Sequence, residues 1–200
     1  MKKRITWQDD ILKKCKFFFI LFIFFNLPNL TYASERWILD KTLSTIEFEL
    51  PVLFAKNVKG TFNTIEGFVE LDVNQKKNNK AIFYVEINDL DMNYTKYKDL
   101  ILSNIFFDAK QFPKAVIDTK KFSYVNETEL ELDVELTIKG KSEMVPLIIY
   151  VKRLAEELVQ IQSELIFSRT DFKIGIGNWK NTSILKDKVK LKTNLFLFRE

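Results

Sequence analysis

Residues 129–138 read Glu-Leu-Glu-Leu-Asp-Val-Glu-Leu-Thr-Ile. Leu130, Leu132, Val134, Leu136 and Ile138 take every second position, with Glu129, Glu131, Asp133, Glu135 and Thr137 between them. Side chains along a strand point to alternate faces, so this run has one dry face and one wet face. A helix would spread the same residues around its whole circumference. The segment is therefore an amphipathic strand, and the fold follows from how often its pattern recurs.

Downstream, alternation predicts strands over 143–152, 158–167 and 188–198. In the last of these, Val189, Leu191, Leu195 and Leu197 alternate with polar positions that include Lys188, Lys190 and Lys192. A loop rich in turn residues, 175–183, comes before it. Upstream, strands are predicted over 37–41, 46–52, 58–72, 81–90 and 115–124. Gly60 and Gly67 are placed as bends would be in a long curving strand, and Pro51 belongs at an edge or bulge because it cannot donate to a ladder. Only residues 95–107 break the period: Leu100, Ile101, Ile105 and Phe106 recur at helical intervals, which predicts one or two short helices. No βαβ rhythm is present. Eight or nine antiparallel strands on a single core give an all-β closed barrel or sandwich.

The first 33 residues stand apart. Lys2, Lys3, Arg4, Lys13, Lys14 and Lys16 precede the apolar run Phe17 to Leu27, and Thr31 and Ala33 put small residues at a cleavage site before Ser34. That is the grammar of a cleaved secretory signal peptide. The run is 11 residues long, against the roughly 20 needed to span a bilayer. The expected organisation is a signal peptide over 1–33 and one domain over 34–200, exported to the periplasm or beyond.

The leader carries six of the 31 basic and two of the 27 acidic side chains, leaving 25 of each in residues 34–200. A formal charge of zero there removes the basic excess that phosphate contacts require, so nucleic acid is not an expected partner. The chain has no histidine, and its single cysteine, Cys15, lies in the leader. Ser-His-Asp and Cys-His catalysis, histidine- or cysteine-ligated zinc and a disulfide framework are excluded. A two-carboxylate hydrolase would have to draw on Asp99, Asp108 or Asp171.

Thirteen of the 19 phenylalanines lie outside the leader. They suit an ordinary packed core, and collectively they suit a barrel with an apolar interior that holds a lipid-like ligand. Arg169 and Asp171 follow the strand that ends at Phe167; such a charged pair orients a ligand head group or closes the barrel end as a structural ion pair.

Five segments in order, WILDKTLSTIEFEL, NVKGTFNTIEGFVELD, YKDLILSNIFFDAKQFPKAVIDT, LTIKGKSEMVPL and SRTDFKIG, resemble the YceI-like family of secreted bacterial lipid-binding proteins. The central one is the most specific: Tyr97-Lys98-Asp99 leads to Leu102-Ser103, then Phe106-Phe107-Asp108, then Phe112-Pro113. The resemblance implies an extended antiparallel eight-stranded lipocalin-like barrel with one or two short helices. It also implies a non-enzymatic function: an elongated apolar tunnel holding a polyisoprenoid, a quinone precursor, or a long-chain fatty acid or amide, with no cofactor beyond that lipid. Tunnel candidates on inward faces and the helical interruption are Phe48, Leu50, Val58, Phe62, Phe83, Val85, Phe106, Leu132, Val134 and Phe167. Transient membrane contact and a homodimer are compatible with such a carrier. The alternative is an envelope stress or interaction protein with a solid barrel. Two departures stand out: Leu43-Ser44 where the family often has His-Ser, and Leu53-Phe54-Ala55 where a His-Leu-Gly is usual.

Overall fold

A computed structural model describes residues 34–54, 56–72 and 74–200; the expected leader lies outside the described residues. The strands are β1 (Ser34–Leu39), β2 (Thr45–Leu50), β3 (Val58–Phe62), β4 (Ile65–Asp72), β5 (Lys80–Glu86), β6 (Leu90–Met92), β7 (Lys114–Asp118), β8 (Glu129–Ile138), β9 (Lys141–Ala155), β10 (Leu158–Ser168) and β11 (Lys188–Arg199). One short helix, α1 (Lys98–Leu102), follows a single 3-10 turn at Thr95–Tyr97.

These strands amount to eight ribbons. β1 pairs Leu39 with Leu197, and β2 pairs Thr45 with Asn194, so both lie end to end along the same edge of β11. β3 and β4 lie in the same way along β2 and β1, and β6 and β5 along β3 and β4. Each ribbon then pairs antiparallel with its successor, and the first closes on the last. The result is a closed eight-stranded up-and-down barrel, which leaves no free edge around most of its girth.

Local chemistry sets the breaks. After Leu39 the Asp40 carboxylate accepts hydrogen bonds from the Thr42 backbone (2.8 Å), the Thr42 hydroxyl (2.6 Å) and the Leu43 backbone (3.0 Å). That Asx-type turn ends the strand predicted to reach Lys41. The Ser44 hydroxyl then accepts from Phe196 N (3.0 Å), replacing the ladder bond lost at the jog. The long strand predicted over 58–72 breaks at 63–64, and the one predicted over 115–124 ends at Asp118. In the second case Asp118 accepts from Lys120 N, and Lys120 is left-handed with φ 55°.

Gly60 and Gly67 each lie opposite a phenylalanine, Phe48 and Phe83 respectively, and a Cβ on either would strike that ring. They are gaps that let cross-strand aromatic rings lie flat on the inner wall. The hairpin from β8 to β9 turns at Lys139 and Gly140, whose φ angles of 51° and 69° fit a two-residue type I′ turn.

Candidate ligand-binding site

The barrel interior holds an apolar cavity towards each end. The first, about 300 Å³, is walled by the inner faces of β2, β3, β5, β6, β7, β8, β10 and β11, with Leu100 and Ile101 of α1, Phe106, Phe107 and Trp179 closing over it. The second, about 480 Å³, lies among Trp37, Phe83, Phe122, Tyr124, Leu132 and Leu197. Ile117 contributes to both.

Between them is a packed waist. Leu39, Ile65, Val134, Val145 and Leu165 are buried and line neither cavity. On β8, Leu132 faces one cavity and Leu136 the other, with Val134 between; on β10, Leu165 separates Ser163 from Phe167 in the same way. The tunnel implied by the resemblance is met here as two apolar chambers that share Ile117. One layer of branched side chains is tall enough to close a small barrel at its middle.

Seven of the ten predicted contact residues meet at the first cavity: Phe48, Leu50, Val58, Phe62, Val85, Phe106 and Phe167. Phe83 and Leu132 face the second, and Val134 belongs to the waist. Rings pair across the first cavity's wall, Phe48 with Phe62 at 5.7 Å and Phe62 edge-on to Phe107 at 6.2 Å.

Arg169 and Asp171 line neither cavity and do not pair with each other. Arg169 is wholly buried. Its guanidinium donates to the carbonyls of Ile174 (2.8 Å), Leu185 (2.8 Å), Lys186 (2.9 Å) and Gly175 (3.3 Å). Burial pushes its pKa down and the Asp187 carboxylate opposes this. Asp171 is exposed. Arg169 therefore staples the loop 174–186 over the first cavity, and the head-group role expected of the pair has no geometric support. Asp99 and Asp108 also line neither cavity.

Periodicity could not find the residues around the mouth. Lys56, Tyr94, Tyr97, Trp179 and Ile184 line the first cavity from loops and turns. Tyr94 donates its hydroxyl to the Lys56 carbonyl (3.3 Å) and its ring lies tilted to that of Tyr97 at 6.3 Å, while Phe106 meets Trp179 at 5.7 Å. The available signal was positional: interruptions of the alternation that fall at one end of the barrel.

A family model described as the YceI-like domain matches residues 37–197, which spans every ribbon of this barrel. The chain belongs to the YceI-like family. Among its relatives is a UPF0312 protein of Vibrio vulnificus, 29% identical over 97 residues, 48% of this chain and 51% of that protein. The chain spans about half the length of the Vibrio relative it matches. BcnA of Burkholderia cenocepacia superposes with a TM-score of 0.71 at 25% identity, over 79% of this chain and 98% of BcnA. A polyisoprenoid-binding domain from Saccharophagus degradans, implicated in plant cell wall breakdown, superposes at 0.64 with 16% identity, over 82% of this chain and 98% of that domain, and shares the fold. At the two departures from the usual YceI-like pattern, Leu43, Ser44, Leu53 and Phe54 line neither cavity. Leu43 is 49% exposed in the jog after β1, and Phe54 is 99% exposed at φ 57° beyond the first cavity's rim.

Proposed function

We propose that this protein is a secreted or periplasmic carrier or store for an elongated apolar ligand. The ligand class is a polyisoprenoid, a quinone precursor, or a long-chain fatty acid or amide, and the reading takes no catalytic role. The observation that carries it is the first cavity, whose walls are aromatic and aliphatic almost throughout and which continues into an apolar rim. The polyisoprenoid-binding character of the Saccharophagus domain and the leader pattern of residues 1–33 support the same reading.

Both cavities fall within the volume range of small-molecule sites, roughly 300–1,000 Å³. Sequestering about ten methylene equivalents contributes about 8 kcal/mol at roughly 0.8 kcal/mol each. Association and chain ordering oppose this by about 4 kcal/mol or more, so micromolar affinity takes roughly fifteen such equivalents. A carrier that must release its cargo works in that range.

Ala115 lines the first cavity and Ala81 the second, and both are buried. Filling each with Ala115→Phe or Ala81→Phe, then measuring uptake of a fluorescent polyprenyl analogue, assigns the cargo to a chamber. Loss of uptake in Ala115→Phe is expected. Mass spectrometry of an organic extract should recover an apolar molecule from the protein as purified; an empty extract together with no uptake would overturn the proposal.

The packed waist favours a second reading, an envelope stress or interaction protein with no cargo. The same uptake measurement separates the two.

A further inference from the structure

The mouth of the first cavity has a surface chemistry unlike the rest of the barrel. Ile184 (54% exposed), Tyr97 (43%) and Trp179 (37%) line the cavity and also face outward. Beside them Leu53, Phe54 and Ile176 are exposed without lining it. The segments lie together: Leu53 N donates to the Ile184 carbonyl (2.8 Å), Lys186 N to the Pro51 carbonyl (3.1 Å) and Ile176 N to the Ile105 carbonyl (3.1 Å). Phe54 holds a left-handed backbone (φ 57°) with its ring in solvent. A β-carbon-bearing aromatic residue is strained there, and nothing in the fold is gained by its exposure.

The rim is also basic. Lys56, Lys96, Lys180 and Lys186 are exposed next to these apolar groups, and among the described residues none of the four forms an ion pair. Asp99 and Asp171 are the exposed carboxylates of the same segments. A surface that combines protruding aromatic and aliphatic tips with unpaired lysines matches the boundary between anionic head groups and acyl chains. Among the described residues no helix is long and apolar enough to cross a membrane.

We propose that this rim docks on an anionic phospholipid bilayer. Phe54, Leu53, Ile176, Trp179 and Ile184 enter the acyl boundary and the four lysines meet the phosphates. The cavity then opens onto the lipid phase, and an apolar molecule passes between bilayer and barrel without crossing water. That last step rests on the carrier reading; the docking does not.

The apolar run 17–27 could hold the full chain on a vesicle by itself, so the readout must be specific to position. A dye is attached through Leu53→Cys, and in a second protein through Val125→Cys at the opposite end, each in a Cys15→Ser background. Vesicles of phosphatidylcholine with phosphatidylglycerol carry spin-labelled acyl chains as quencher. Quenching at position 53 and none at 125 is expected, weakening in high salt and on pure phosphatidylcholine. Phe54→Ser should lower vesicle affinity about tenfold, as loss of one buried aromatic does. Lys180→Glu with Lys186→Glu should lower it about thirtyfold or more, since loss of the two lysine attractions alone accounts for that factor.

Equal quenching at both positions, or none at 53, overturns the proposal. So does a change at position 53 that follows protein concentration instead of lipid, since the rim would then be meeting a second copy of the chain. Uptake of the polyprenyl analogue from vesicle-free solution is measured in Phe54→Ser as well. Retained uptake with lost docking places the defect at the rim, whereas absent uptake in the unaltered protein with docking intact sinks the carrier reading alone.

Discussion

Arg169 shows how a charged side chain can be structural at the edge of an apolar site. Its guanidinium meets four backbone carbonyls of the loop 174–186. An ammonium cannot fork to groups so arranged, so Arg169→Lys leaves buried acceptors unpaired. The expected loss is about 2–4 kcal/mol, read as a lower urea midpoint at constant slope. Intact stability with weakened ligand binding would instead restore the head-group role. The sequence could not decide this, because a charge at a strand end looks the same whether it points at a ligand or at its own loop. Asp187 works beside it, accepting from the Thr170 hydroxyl (2.7 Å). Burial raises its pKa, but hydrogen bonds from Thr170 and Ser168 and the Arg169 charge outweigh this and hold it below the ordinary value. A depressed carboxylate stabilises the fold fully above its unfolded pKa, and that contribution fades as pH falls through the lower folded value. The window therefore lies below about pH 4. Thermal melts of Asp187→Asn against the parent should differ at pH 7 and converge in that acid range; a constant offset at every pH would remove the assignment.

At the scale of elements, alternation was legible wherever side chains alone decide the facing. The run 129–138 forms β8 over Glu129–Ile138, with Leu130, Val134, Leu136 and Ile138 buried. Interruptions made by side chain to backbone hydrogen bonds were not legible. The jog at Asp40–Ser44 and the turn at Asp118–Lys120 cut strands that hydrophobicity would have continued. A second role of glycine was not legible for a related reason, since a bend and a gap for a ring leave the same letter. Gly60→Ala tests the second role. Its Cβ would meet the Phe48 ring and the Asp91 carbonyl. The cost should be about 1–3 kcal/mol, partly recovered in a Phe48→Leu background, where the ring is gone. Additive losses in the double variant would show that the ring and the glycine do not share one space.

For the whole molecule, the partition of the interior matters more than its total volume. Alternation states which side chains point inward but not at what height, so it grouped Phe83, Leu132 and Val134 with residues of the first cavity although they sit at the second cavity or the waist. Cargo long enough to reach from one chamber to the other has to pass the layer of Leu39, Ile65, Val134, Val145 and Leu165. Leu165→Ala removes part of that barrier at a cost of about 2–5 kcal/mol in stability. The expected gain is a preference for longer polyprenyl analogues over short ones, measured by competition. Unchanged chain-length selectivity would confine the cargo to a single chamber.

The seam between β1 and β11 carries a further consequence. Trp37 pairs with Arg199 and Leu39 with Leu197, so the first strand of the described residues is zipped to the last. Until Lys188–Arg199 is available, β1 and β10 each present an unsatisfied flank to any passing polypeptide. Pairing partners so remote in the chain fold slowly, on the order of milliseconds to seconds. Nascent molecules should therefore depend on holdase chaperones for longer than a helical protein of equal size.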